Sequence, residues 1–101
     1  MVKITEKIED IVNQELERAV QKHGIHNSPH EAIAVIQEEY EEACDDLDII
    51  QARLSIMWKH VKANDDISYD MEHIYNYAVC LAAEAVQVAA MAKKEVRNGG
   101  N

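Results

Sequence analysis

The sequence predicts an all-α fold: two long antiparallel helices and a shorter N-terminal helix, assembling as a helical bundle. Three observations carry this reading. The 101 residues include one proline, Pro29, and three glycines, Gly24, Gly99 and Gly100, so neither of the residues that most readily break a helix occurs between positions 30 and 98. Apolar residues recur at steps of three and four through three successive segments, the spacing of one face of a helix. Only short polar or capping stretches separate the segments, as expected between neighbouring helices of a bundle.

The first helix spans about residues 3–22. Ile4, Ile8, Ile11, Val12, Leu16, Ala19 and Val20 follow helical spacing, and Gly24 stands where a C-terminal cap would end it. The second helix, about 29–62, opens at Ser28-Pro29-His30-Glu31, which reads as a capping box with proline at the first helical position. Ile33, Ile36, Tyr40, Ala43, Leu47, Ile50, Leu54, Met57 and Val61 then alternate steps of three and four, a heptad seam that needs another long helix beside it. Lys62-Ala63-Asn64-Asp65-Asp66 supplies a polar turn, and Ser68 or Asp66 caps a third helix at about 69–97. There Met71, Ile74, Tyr75, Ala78, Leu81, Ala82, Ala85, Val88, Ala89, Ala92 and Val96 share one side. Between Ala78 and Ala92 only Glu84 and Gln87 are strongly polar, so this stretch needs partners on more than one side. A homo-oligomer is expected, most simply a homodimer with a four-helix core.

A chain of this length makes one domain, residues 1–101. Hydrophobic residues at 48% and charged residues at 29% mark globular material, not a disordered segment. The formal charge of −9 repels phosphate backbones and anionic membranes, which argues against a nucleic-acid binder. No apolar run seen in the sequence approaches the roughly 20 residues of a membrane span, and MVKITEKIED lacks the apolar centre of a signal peptide, so the expected location is cytoplasmic. Cys44 and Cys80 lack CxxC spacing and fall in apolar-rich stretches, where buried, reduced thiols are expected.

Residues 38–48 hold seven carboxylates. At about 100° per residue they do not share one face. Glu38, Glu41, Asp45 and Asp48 read as solvated charge. A second stripe, through Val35, Glu39, Glu42, Asp46, Ile49 and Ile56, mixes apolar residues with three acids. Burying an unpaired carboxylate is costly, so those acids need a cation on a neighbouring helix, a shared proton or a divalent metal. Glu39 and Glu42, three apart, can converge on one side, and Glu84 and Gln87 repeat the spacing on the third helix. Facing each other, the two pairs would offer three carboxylates and an amide to a hard cation such as Mg²⁺.

Glu38-Glu39-Tyr40-Glu41-Glu42 has the form EExxE, which resembles the first metal motif of the MazG-like, all-α nucleoside triphosphate pyrophosphohydrolases. Glu84-Ala85-Val86-Gln87 resembles the second, ExxD, with glutamine in place of the aspartate. The wider wording HNSPHEAIAVIQEEYEEA and AEAVQVAAMAKK is similar to small phage and prophage members, and the likeness covers about residues 22–97. The resemblance implies a dimeric helical bundle that binds Mg²⁺, with Mn²⁺ as a substitute, and hydrolyses a nucleoside triphosphate to the monophosphate and pyrophosphate. It implies Glu38, Glu39 and Glu42 as catalytic residues, and Glu39, Glu42, Glu84 and Gln87 as metal ligands. Two departures stand out. Gln87 is a neutral, weaker ligand than the aspartate it replaces, and the interval between Glu42 and Glu84 is longer than the family's usual one.

The other chemistry-bearing residues have plainer readings. His23, His26 and His30 straddle a cap without zinc spacing, and no Glu-x-x-His tetrad supports a di-iron centre. Trp58, Tyr69, Tyr75 and Tyr77 read as packing residues. Lys59, Lys62, Lys93, Lys94 and Arg97 are the cations available to a triphosphate, with nothing to choose among them. The competing function is a non-catalytic helical module that binds itself or a phage or host protein, its acids supplying solubility and pairing charge.

Overall fold

The computed structural model describes residues 3–24 and 28–99. Three helices account for nearly all of them: α1 (Ile4–His23), α2 (Pro29–Lys62) and α3 (Ser68–Gly99). The fold is all-α, and the helix bounds fall within two residues of those the spacing predicts. Of the loop histidines, His26 lies outside the described residues.

Local chemistry explains the ends. Gly24 takes φ 81°, a left-handed backbone that favours glycine, and its N–H bonds the Val20 carbonyl at 2.8 Å. Ser28 Oγ accepts the Glu31 N–H at 3.1 Å, with Pro29 at the first helical position. At the other end of α2, Asn64 turns left-handed at φ 59°. Asp65 N–H then bonds the His60 carbonyl at 2.9 Å and Asn64 N–H bonds Val61 at 3.1 Å, a Schellman termination with asparagine in the usual glycine place. Asp66 Oδ1 accepts the Ser68 N–H and hydroxyl at 3.2 and 2.8 Å, fixing the start of α3.

The α3 helix is central. It packs antiparallel along α2 and carries α1 on another side, while α1 and α2 do not pack together among the described residues. The buried core lies between α1 and α3, where Val12 and Leu16 meet Ala90, flanked by Val20 and Val86. A radius of gyration of 17.6 Å against about 13 Å for a compact chain of this length reflects a flat slab of 59 × 36 × 20 Å.

The seam of α2 differs from the expected one by a turn of the helix face. Ile36, Ala43, Ile50 and Met57 are half-buried, as predicted. The other half of the packed line is Ala32, Glu39, Asp46, Arg53 and His60, whereas Ile33, Tyr40, Leu47, Leu54 and Val61 are exposed by 42–67%. Both lines repeat every seven residues, one position apart, so periodicity alone does not choose between them. The α3 helix behaves likewise: Ile74, Leu81 and Val88 are half-buried, while Met71, Tyr75 and the run Ala78, Ala82, Ala85, Ala89 and Ala92 are exposed. Ile4, Ile8 and Ile11 are exposed on α1.

Three further expectations change. Cys44 is half-buried and Cys80 exposed, both as free thiols, because Cys80 falls on a side of α3 that neither neighbour covers. Trp58, Tyr69 and Tyr75 are exposed, and only Tyr77 is half-buried. Residues Ser68–Arg97 do contain an 18-residue window, with mean hydropathy 1.3, long and apolar enough to cross a membrane by length and composition, because its alanines raise the average without forming an obvious apolar block.

Candidate functional site: an acidic layer in the α2–α3 seam

The polar line of α2 faces two carboxylates of α3, Asp70 and Glu84, which sit on one face of that helix fourteen residues, or two heptads, apart. The antiparallel register that sets His60 opposite Asp70 also sets Asp46 opposite Glu84. The two layers have opposite electrostatics.

Asp70 is satisfied. It is 1% exposed, accepts from His60 Nδ1 at 2.7 Å and from Arg53 at 3.1 Å, and the Arg53 guanidinium lies 5.3 Å from the Tyr69 ring centroid. The His60 hydrogen bond, supported by Arg53, holds the Asp70 carboxyl below the usual carboxylate range despite its burial. Tyr69, His73 and Tyr77 stack along the same stretch at 6.0 and 5.0 Å.

Glu84 has only acids around it. Burial comes first, then a hydrogen bond shared with Asp46 and the charges of Asp46, Glu42 and Glu39, and together they raise its pKa to about 7. Two carboxyls brought together in this way are least costly when they share a proton, in keeping with the raised Glu84 pKa. Asp46 is 8% exposed, and Asp46 Oδ2 and Glu84 Oε2 are buried without a partner. Glu39 is half-buried, and burial followed by the charges of Glu42 and Glu38 pushes its carboxyl up. The direction of these shifts favours a shared proton, one of the three compensations the sequence allows, as the way the cost of burying these acids is reduced.

Of the residues expected at the site, Glu39, Glu42 and Glu84 belong to one electrostatic cluster, and Asp46 joins them. Glu38 and Glu42 are both exposed on α2, so Glu42 reaches the cluster from its rim. Gln87 is turned to α1, where its amide donates to Glu15 at 2.9 Å. Arg18 and that amide lower the Glu15 pKa to about 2. Among the described residues no three His, Cys, Asp or Glu side chains are gathered tightly enough to hold a metal ion as they stand. The donor set is nevertheless all oxygen, with orphaned buried atoms, which suits a hard divalent cation once the shared proton leaves.

Of the five basic residues named for a triphosphate, four have contacts elsewhere or are buried, and Lys59 is exposed at the end of α2. Lys93 donates to Asn13, Arg97 pairs with Glu17 at 3.7 Å, Lys62 stands 5.8 Å from the Trp58 ring and Lys94 is 3% exposed. Asp46 was legible as the residue four beyond Glu42. Arg53 and His60 were signalled only by the recurrence of polar residues every seven positions in α2, a pattern hidden beneath the stronger apolar heptad, and Asp70 on α3 had no signal of its own. Compared with known proteins, the chain matches no family model, no curated protein and no solved structure.

Proposed function

We propose that Glu39, Glu42, Asp46 and Glu84 form a divalent-cation site, and that the protein is a cytoplasmic Mg²⁺-dependent nucleoside triphosphate pyrophosphohydrolase. The observation carrying this reading is the Asp46–Glu84 pair: two buried acids on facing helices, each with an oxygen lacking a partner, and no basic residue among the groups that shift Glu84. Two of the four acids, Glu39 and Glu42, lie in the stretch that resembles the first MazG-like motif, and Glu84 opens the second. Asp46 takes the part of the fourth acid, because Gln87 is held by Glu15.

Bound Mg²⁺ would neutralise charge on the phosphoryl oxygens and orient the triphosphate for attack by water. The chain's own contributions are separable. Asp46 and Glu84 hold a proton that must leave for all four acids to act as ligands. Glu39 and Glu42 present oxygens from a single turn of α2. Glu38, exposed next to them as Glu42 also is, is open to accept a proton from water.

The test is pyrophosphate release from a panel of canonical and modified nucleoside triphosphates with Mg²⁺ or Mn²⁺. Release that falls at least ~100-fold in Glu39→Gln and Glu42→Gln supports the reading. Release no greater than in those variants, on every nucleotide, defeats it. A second reading, a non-catalytic helical module, is favoured by the acids' not being gathered into a ready chelate and by the engaged lysines and arginine.

A further inference from the structure

We infer that Arg18 of α1 receives the terminal phosphate of the triphosphate, carried to the rim of the acidic layer by the hydrogen bond between Gln87 and Glu15. The inference rests on the cation-site reading and supplies it with a substrate-binding cation.

Gln87 stands one turn of α3 beyond Glu84, about 4.5 Å along the axis and turned about 60° from it, toward α1. Its amide donates to Glu15 Oε1 at 2.9 Å, and Arg18 donates to the same carboxylate, from Nε to Oε2 at 3.0 Å and from Nη2 to Oε1. One helical turn and two hydrogen-bonded links thus connect Glu84 to a guanidinium. The guanidinium lies on the open side of the acids. At about 100° per residue, Glu42 is turned about 40° from Asp46 on α2, in the same rotational sense as Gln87 from Glu84 on α3. In an antiparallel pair the same sense reaches the same side, so exposed Glu42 and the Gln87–Glu15 link border one broad face of the hairpin.

The chemistry at this border fits a phosphate. Arg18 is 59% exposed and spends Nε and Nη2 on Glu15, which leaves Nη1 for an anion. Arg18 and Gln87 lower the Glu15 carboxyl to about 2, so the ion pair persists through neutral pH and keeps the guanidinium in place. An aspartate at position 87 would repel Glu15, whereas the amide donates to it. The departure from the ExxD pattern therefore exchanges a fourth acid for a fixed arginine. Such a cation is needed, because four acids in a chain of net charge −9 repel the far end of a triphosphate that the metal does not reach. Distance sets the other bases aside. Lys59 stands about 20 Å along α2 from Asp46, farther than a triphosphate chain extends, and Lys22 lies about 10 Å along α1 past Glu15. Arg53 is nearer to Asp46, but its guanidinium is committed to buried Asp70.

The experiment is calorimetric titration of inorganic triphosphate into the full chain in excess Mg²⁺, beside Mn²⁺ titration of the metal-free protein. Arg18→Ala should weaken triphosphate binding ~10-fold or more, with Mn²⁺ affinity and helicity by circular dichroism as in the wild type. Arg18→Lys keeps the charge but not the planar fork of donors and should fall between the two. Lys3→Ala, the same change of charge fifteen residues away on α1, should match the wild type. Triphosphate binding unchanged in Arg18→Ala overturns the role of Arg18 and leaves the cation site standing. Loss of Mn²⁺ affinity or helicity in step with triphosphate binding assigns Arg18 to the docking of α1 and equally overturns the inference. A wild type that binds Mn²⁺ but no triphosphate overturns it too, and one that binds no Mn²⁺ overturns the cation site together with it.

Discussion

Asp46 and Glu84 face each other across the α2–α3 seam, and each has a buried carboxyl oxygen without a hydrogen-bond partner. Two heptads along the same helix, Asp70 receives both His60 and Arg53. One seam therefore contains an acid paired with basic side chains and a layer in which acids meet only acids. The contrast makes the predictions for Glu84 differ in sign from those for Asp70.

Glu84 titrates near pH 7 in the fold and near 4.5 in the unfolded chain. The folded state binds the extra proton between those values, so stability is full below about pH 4.5 and is lost as pH rises through 7. Allowing for partial solvent access, urea unfolding in EDTA should show a loss of about 1–2 kcal/mol between pH 5 and pH 8. Glu84→Gln should abolish that slope. Asp70, whose carboxyl is held low, contributes in the opposite sense: its stabilisation is present above its ordinary pKa and disappears only as the solution becomes more acidic.

Asp70→Ala removes the buried acceptor for two half-buried donors and should lower Tm by roughly 5–10 °C, whereas Glu84→Gln at pH 8 should raise it. Thermal unfolding of both variants in one buffer checks the difference. Equal destabilisation would mean the two layers are not electrostatically distinct.

Gln87→Asp restores the acid of the ExxD pattern but sets it against Glu15. The expected result is weaker docking of α1, seen as lower helix content or Tm, with no gain in Mn²⁺ affinity. Asp46→Asn, which leaves Gln87 in place, should weaken Mn²⁺ binding about 10-fold or more.

Ser28→Ala removes the acceptor for the Glu31 N–H and should cost about 1 kcal/mol in urea unfolding, independent of pH and of divalent cations.

Much of the fold was legible in the sequence. Pro29, Gly24, Asn64 and Asp66 terminate or start helices through local geometry alone, which is why the helix bounds agree. The packed face of α2 was not, because Ile33, Tyr40, Leu47, Leu54 and Val61 outweigh Glu39, Asp46, Arg53 and His60 in any reading that sends apolar residues inward. In the folded chain the polar line is inside because its members face partners or one another on α3, and those pairings depend on an antiparallel register that single-helix spacing does not contain. Glu39, Glu42 and Glu84 were legible from their three-residue spacings. The turning of Gln87 to α1 was not, since it depends on where α1 docks.

The most direct measurement is Mn²⁺ binding to the metal-free protein by titration calorimetry in buffers of different ionisation enthalpy. One saturable site per chain is predicted, with proton release at pH 6 that vanishes by pH 8.5, and with loss of the site in Glu39→Gln and Glu84→Gln. Absence of saturable binding at every pH, or binding unchanged in both variants, would contradict the assignment of this acidic layer as a cation site.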